Sequence, residues 1–212
     1  PELDVVLALD RAGIVGDDGP THNGVFDIAY TRMVPGLRVL APSDEAELVS
    51  ALHTALALGG PFALRYPRGA GEGAVLPEQP EVLEPGRARV VREGGDVSVL
   101  AFGRMVGQAK EAAELLAARG IEARVVDMRW VKQAIADAAA TGLVVTAEEG
   151  VIAGGAGEGV LEVLARQGSQ VPAVTLGVGD RFVMQGSVAE VLHELGLDAQ
   201  GIAAAVEGAL RR

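Results

Sequence analysis

The 212-residue chain contains no cysteine, which removes any disulfide framework and any thiolate metal site. Aromatic residues make up only 3%, so its cores must be built from Ala, Val and Leu within an apolar fraction of 49%. No stretch approaches the about 18 consecutive apolar residues that a membrane-crossing helix needs. Pro1-Glu2 does not open a secretory signal, and a cytoplasmic protein with no membrane partner is expected. Basic residues are in deficit, 18 Lys and Arg against 29 Asp and Glu, giving a net charge of −11. That balance argues against nucleic acid, because phosphate backbones are bound through basic surfaces. It does not exclude a small phosphorylated molecule. Screening confines the repulsion to about 8 Å at physiological salt, so a few local arginines can override distant acids.

What is present is an alternation of short apolar runs and helical periods. Residues 3–10 read as a strand buried on both faces. Residues 26–33 read as a helix stopped by Pro35, and 38–41 as the next strand. Ser43 is placed to cap a helix with Asp44 and Glu45 in its first turn and Val49, Leu52 and Leu56 as its buried stripe. Gly59-Gly60-Pro61 ends that helix, and 62–66 is a strand. His53, without polar neighbours in register, reads as structural or exposed. The pattern breaks over 68–95, an interdomain connection within which 87–91 can pair briefly as a strand. Beyond it, strands are expected at 97–102, 123–128, 143–147 and 173–178. Between them lie a helix lined by Val106, Ala109, Ala113 and Leu116, an alanine-rich helix at 133–140 and a helix entered through 154–159. Ser187 and Glu190 form a capping box for a helix with Val188, Val191, Leu192 and Leu195 inward, and 200–210 closes the chain. Strands separated by helices imply parallel pairing with right-handed crossovers. The fold class is therefore α/β, two parallel or mixed-sheet units at 1–69 and 96–212 joined by a linker at 70–95.

The chemistry concentrates at residues 10–24, DRAGIVGDDGPTHNG, between the first strand and the first helix. Four glycines, a proline, three acids, an arginine and a histidine share this loop. Glycine admits positive φ and close approach of a ligand, while His, Asp and Arg move protons and hold anions. A strand-end loop is also where open α/β sheets place ligands. The glycine run 154–159 invites a dinucleotide reading, which fails: Val160 stands where the third glycine belongs, and 150–153 separates the run from the preceding strand. It reads as a tight loop feeding a helix.

The loop is joined by further strings: PSDE at 42–45, RYPRG at 65–69, VDMRWVK at 126–132, EEG at 148–150 with GGAG at 154–157, and ELGLD at 194–198. In this order, over nearly the whole chain, they resemble the 1-deoxy-D-xylulose-5-phosphate synthases, thiamine-diphosphate enzymes of the transketolase superfamily. The resemblance implies that 1–69 is the C-terminal part of a pyrimidine-binding domain and 96–212 a transketolase C-terminal domain. It implies a homodimer and the decarboxylative condensation of pyruvate with glyceraldehyde 3-phosphate, which feeds isoprenoid, thiamine and pyridoxal synthesis. By residue, it implies that His22 contacts the reacting oxygens, that Asp18 binds a substrate hydroxyl, and that Arg11 and Arg68 bind the acceptor's phosphate. Their chemistry agrees, since neutral imidazole titrates near working pH and a phosphate suits the always-charged arginine fork. Strands of one parallel sheet would bring the loops of Arg11 and Arg68 to the same edge. Asp17 reads as a solvated turn acid, and Arg65, inside a strand, as half of a structural ion pair.

Family members are longer. The glutamate that activates their cofactor and the site for Mg2+ and the diphosphate have no counterpart motif here, since Glu2 and Asp4 only precede the first strand. The chain therefore reads as a C-terminal portion, inactive alone, whose partner is the N-terminal part of the same enzyme. The family's Lys-Pro-Leu-Asp continuation is also missing after Lys132, where Gln133 follows. Two rival readings are the β subunit of a 2-oxoacid dehydrogenase and a non-catalytic dimerising module.

Overall fold

A computed structural model describes residues 3–132 and 140–211. The helix expected over 133–140 rests on residues 133–139, which lie outside the described ones.

The first unit contains β1 (Val5–Leu9), α1 (Asp27–Met33), β2 (Arg38–Leu40), α2 (Glu45–Leu58) and β3 (Pro61–Arg65). Its three strands are parallel, in the order β1-β3-β2. The second unit contains β4 (Arg89–Arg92), β5 (Val97–Ala101), α3 (Met105–Ala117), β6 (Ala123–Asp127), β7 (Val144–Val151), α4 (Ala156–Arg166), β8 (Ala173–Val178), α5 (Val188–Leu195) and α6 (Ala199–Leu210). Its sheet runs β4-β6-β5-β7-β8, parallel except for β4, which pairs antiparallel with β6. The mixed α/β architecture follows from the alternation, because α2, α3 and α4 each return the chain to the start of a parallel neighbour.

Four local expectations need correction. β1 is not buried on both faces: it lies at an edge of its sheet, with Val5 and Leu7 about two-fifths exposed. The buried face of α2 is not Val49, Leu52 and Leu56 but Glu47, Ser50, Ala51, Thr54 and Ala55, while Leu52 and Leu56 are exposed. Small and hydrogen-bonded side chains let this helix lie close, and Thr54 Oγ1 takes the Leu83 N–H at 2.8 Å. Asp44, not Ser43, caps α2, accepting from the Glu47 N–H at 2.7 Å. Finally, β7 runs on through Glu148, Glu149 and Gly150 to Val151, so only a few residues separate it from the glycine run. The missing third glycine still defeats the dinucleotide reading. The Ser187–Glu190 capping box is present on both sides of its reciprocal hydrogen bonding.

The units share a core. Trp130 is fully buried against Phe62, ring centroids 6.3 Å apart, in a cluster that runs from Val39 and Leu64 across to Leu100 and Val126. The backbone joins them too: Ala41 N–H donates to Arg129 O at 2.8 Å and Val131 N–H to Val39 O at 3.0 Å, laying the segment after β6 beside β2. Conversely, Ile14 and Val25 from the glycine-rich loop are packed in the core of the second unit.

Candidate active site

Because β1 and β3 are adjacent and parallel, the segments after them leave the sheet at one edge. Tyr66 N–H donates to Leu9 O at 3.1 Å and Ala12 N–H to Tyr66 O at 3.0 Å, holding the two exits together. The loop then folds on itself, with Gly13 and Gly24 exchanging backbone hydrogen bonds of 3.0 and 2.8 Å. A Cβ on Gly24 would lie 2.2 Å from Arg11 O, so only glycine permits this approach. Arg11 itself is left-handed, φ 55°. That region is uncommon for a residue with a side chain, and such strain concentrates at functional sites.

On this frame Asp18 sits between the two arginines. One carboxylate oxygen accepts from Arg68 Nη1 at 2.5 Å and the other lies 3.4 Å from Arg11 Nε, while Arg11 Nη1 also reaches Asp10 at 2.8 Å. Both guanidiniums are nearly half exposed and Asp18 is partly buried. Three of the four residues singled out from the sequence are thus in one cluster, although Asp18 and Arg68 are 50 positions apart. His22 is on the same loop but exposed: its Nδ1 lies 3.0 Å from Thr21 Oγ1, and among the described residues no hydrogen bond ties its ring to the arginine–Asp18 cluster. Asp17 is exposed, and His53 on α2 is exposed. Arg65 makes a buried ion pair with Asp27 at 2.7 Å.

The second unit grips the loop from behind. Glu149 Oε1 accepts from Ile14 N–H at 3.3 Å, and Arg104 Nη2 donates to Ile14 O at 2.6 Å. Arg104 and Glu149 also form a doubly bonded ion pair, through Nε at 2.7 Å and through Nη2. Asn23 accepts from Val15 N–H at 3.0 Å and donates to Val183 O at 3.2 Å. Arg104 further lines, with Ser43, Asp44, Tyr66, Arg68 and Gly71, a cleft of about 380 Å³ beside the start of α2. Sequence reasoning misses Arg104 and Glu149. The signal that could have found Arg104 is the one that picks out Arg11 and Arg68, a charged side chain just past a parallel strand's end.

Two buried acids nearby have displaced titrations. Burial pushes Glu148 up to about 7, although Ala156 and Gly157 N–H groups at the start of α4 donate to it at 2.9 and 2.8 Å. Asp127 is pushed up to about 8 by burial, and then by the neighbouring Glu47, whose carboxylate it hydrogen-bonds. Burial opposes the charge on Glu47 as well, but the Asp127 hydrogen bond, Arg129 and Arg89 outweigh it and hold Glu47 below its ordinary value. Arg129 Nε donates to Glu47 at 2.6 Å and Arg89 Nη2 to Asp127 at 3.0 Å, so the network ties α2 to β4 and β6.

Comparison with known proteins agrees with this architecture. Residues 1–72 match the transketolase pyrimidine binding domain and residues 86–202 the transketolase C-terminal domain. The chain belongs to the transketolase family. Within it, the chain is 49% identical over 98% of its length to 1-deoxy-D-xylulose-5-phosphate synthase 1 of Geobacter sulfurreducens. It is 50% identical over 95% of its length to the 1-deoxy-D-xylulose-5-phosphate synthase of Thermomicrobium roseum. It spans about a third of the length of these curated relatives, 34% and 33%. A solved structure described as a split gene transketolase, inactive β4 tetramer, superposes on all of the chain with a TM-score of 0.83 and 36% identity, the match covering 68% of that chain.

Proposed function

We propose that these residues form the acceptor-binding part of a 1-deoxy-D-xylulose-5-phosphate synthase, a thiamine-diphosphate-dependent transferase that joins pyruvate, with loss of carbon dioxide, to glyceraldehyde 3-phosphate. The observation that carries the reading is Asp18 held between Arg11 and Arg68 at a shared sheet edge. A phosphate carries about −1.5 to −2 charges and three acceptor oxygens, and two guanidinium forks offer about ten N–H donors between them. Asp18 occupies one donor nitrogen on each fork and fixes their separation. An entering phosphate takes over those donors and turns Asp18 toward the acceptor's hydroxyl. His22, exposed on the same loop, is then the group that moves protons at the reacting oxygens.

Among the described residues, no group of three or more His, Asp or Glu side chains could hold a metal ion. By the resemblance, Mg2+ and the cofactor's diphosphate are held by another part of the enzyme, and the described residues are assigned to the acceptor side. The resemblance assigns those groups, and the cofactor's activating glutamate, to the N-terminal part of the enzyme. The solved relative described as split and inactive is in keeping with a requirement for that part. A homodimer is the assembly proposed from the resemblance. Relatives named as synthases favour this reading over a 2-oxoacid dehydrogenase subunit. The test is steady-state kinetics of these residues assembled with the N-terminal polypeptide, thiamine diphosphate and Mg2+. Arg68→Ala is expected to raise the KM for glyceraldehyde 3-phosphate by about 10- to 100-fold, on the scale of a lost charged hydrogen-bond pair, while the KM for pyruvate changes less than about twofold. Equal effects on both substrates would remove the phosphate assignment.

A further inference from the structure

The phosphate-binding loop does not hold its shape through its own hydrogen bonds alone. Its midpoint, Ile14, is clamped on both backbone groups by the second unit: the N–H by Glu149 and the carbonyl by Arg104. Both clamping side chains are fixed in turn, because Arg104 presents Nε and Nη2 to the two oxygens of Glu149. The planar fork makes this geometry one that a lysine cannot reproduce. Glu149 is buried, 2% exposed, and sits so close beneath Gly13 that a Cβ there would meet it at 2.7 Å. Ile14 is itself fully buried. Three residues before the clamp is Arg11 and four after it is Asp18, the two loop members of the arginine–carboxylate cluster. Arg104 also faces the cleft that Arg68 lines.

We infer that Glu149 and Arg104 are positioning residues for acceptor recognition, setting from the second unit the distance between Arg11, Asp18 and Arg68. Their hydrogen bonds go to each other and to Ile14, and it is through Ile14 that they act. The inference rests on the phosphate reading given above and adds to it the claim that affinity for the phosphorylated acceptor is controlled by residues outside the loop. Displacement of a binding group by about an ångström can cost roughly 10²-fold in a positioned reaction, so a partly released loop should be felt strongly.

The experiment compares binding of glyceraldehyde 3-phosphate with that of its unphosphorylated counterpart, glyceraldehyde, by calorimetry on the assembled, cofactor-loaded enzyme. Four proteins are needed: the unaltered enzyme, Arg68→Ala, Glu149→Gln and Arg104→Lys. Glu149→Gln keeps an acceptor for the Ile14 N–H but loses the ion pair; Arg104→Lys keeps the charge but loses the fork. Both variants are expected to weaken glyceraldehyde 3-phosphate about tenfold or more and to leave glyceraldehyde within about twofold, with the pyruvate KM unchanged. Amide hydrogen exchange at Ile14 should speed up in step with the lost affinity. A purely structural role would lower the melting temperature and weaken both ligands together, which overturns the inference. Unchanged affinity in both variants overturns it as well. If instead the unaltered enzyme and Arg68→Ala bind the two ligands alike, it is the phosphate reading itself that fails. Should Glu149→Gln not fold, Arg104→Lys decides alone.

Discussion

Arg11 combines a side chain proposed to bind phosphate with a backbone conformation that its Cβ disfavours. At φ 55° it lies in the left-handed region, where an L-residue with a Cβ is strained by about 1–2 kcal/mol and glycine is not. The strain is held by the pairing around it, with Ala12 bound to Tyr66 and Gly13 to Gly24. A separation of roles follows. Arg11→Gly should unfold at higher urea than Arg11→Ala by the equivalent of about 1 kcal/mol, because only the glycine relieves the backbone. Both should lose phosphorylated-acceptor binding to a similar degree, because both lack the fork. Equilibrium unfolding checks the first part, and an alanine variant equal to or more stable than the glycine variant would show that the turn does not strain Arg11. The residues of this loop are legible in the sequence because they are contiguous. Their chemistry, crowded into 10–24, announces itself before any fold is known. Arg68 is legible through the resemblance carried by RYPRG, and the pairing of parallel β1 and β3 explains why it lies beside the loop. Glu149 is not: an acid in the run EEG carries no sign that it reaches Ile14, 135 positions away.

At the scale of elements, α2 shows how a correct helix can be given the wrong face. Apolar side chains surround it, so Val49, Leu52 and Leu56 make as good a stripe on paper as any other set. What decides the face is closeness to neighbours rather than hydrophobicity. Ala51 and Ala55 are 1% exposed, and Thr54 answers both Ser50 O and the Leu83 N–H. Glu47 and Thr54 are tolerated there because they have partners, which periodicity cannot reveal. Ala55→Leu is therefore expected to overpack the face and cost about 1–3 kcal/mol. Leu56→Ala, at a side chain 68% exposed, should change stability by no more than roughly 0.5 kcal/mol. Urea unfolding of the two variants measures both, and the reverse ranking would restore the leucine stripe. The same reasoning explains β1. Its apolar run has the look of a central strand, yet apolar content says nothing about position in the sheet, and this strand stands at an edge.

Across the whole molecule, the two units are joined through a common core and through one charged network that spans them. Alternation of strands and helices is enough to read the α/β class. The joint between units is not readable, because it is made of ordinary residues far apart in sequence, such as Glu47 and Arg129, 82 positions from one another. At its centre Asp127 keeps its proton up to about pH 8, where an ordinary aspartate loses it near 3.8. Between those values the folded chain holds a proton that the unfolded chain has released. Stability from this group is thus complete below pH of about 4 and falls as pH rises toward about 8. Glu47 works in the other direction, being held charged in the fold, so its contribution is present above its ordinary value of 4.5 and fades as pH falls below it. Glu148 adds a decline of its own between 4.5 and about 7. Asp127→Asn isolates the first effect: the amide can still donate to Glu47 and has no proton to lose. Against the unaltered protein, the variant should gain ground steadily from pH 5 to pH 8, by at least about 1 kcal/mol, since a tenfold difference in proton affinity between folded and unfolded chain is worth about 1.4 kcal/mol. Unfolding midpoints taken at several pH values give this difference directly, with the Glu148 contribution common to both proteins. A difference that stays constant with pH would mean that Asp127 is already ionised in the fold, and that Arg89 and Arg129 alone neutralise two charged carboxylates at the joint.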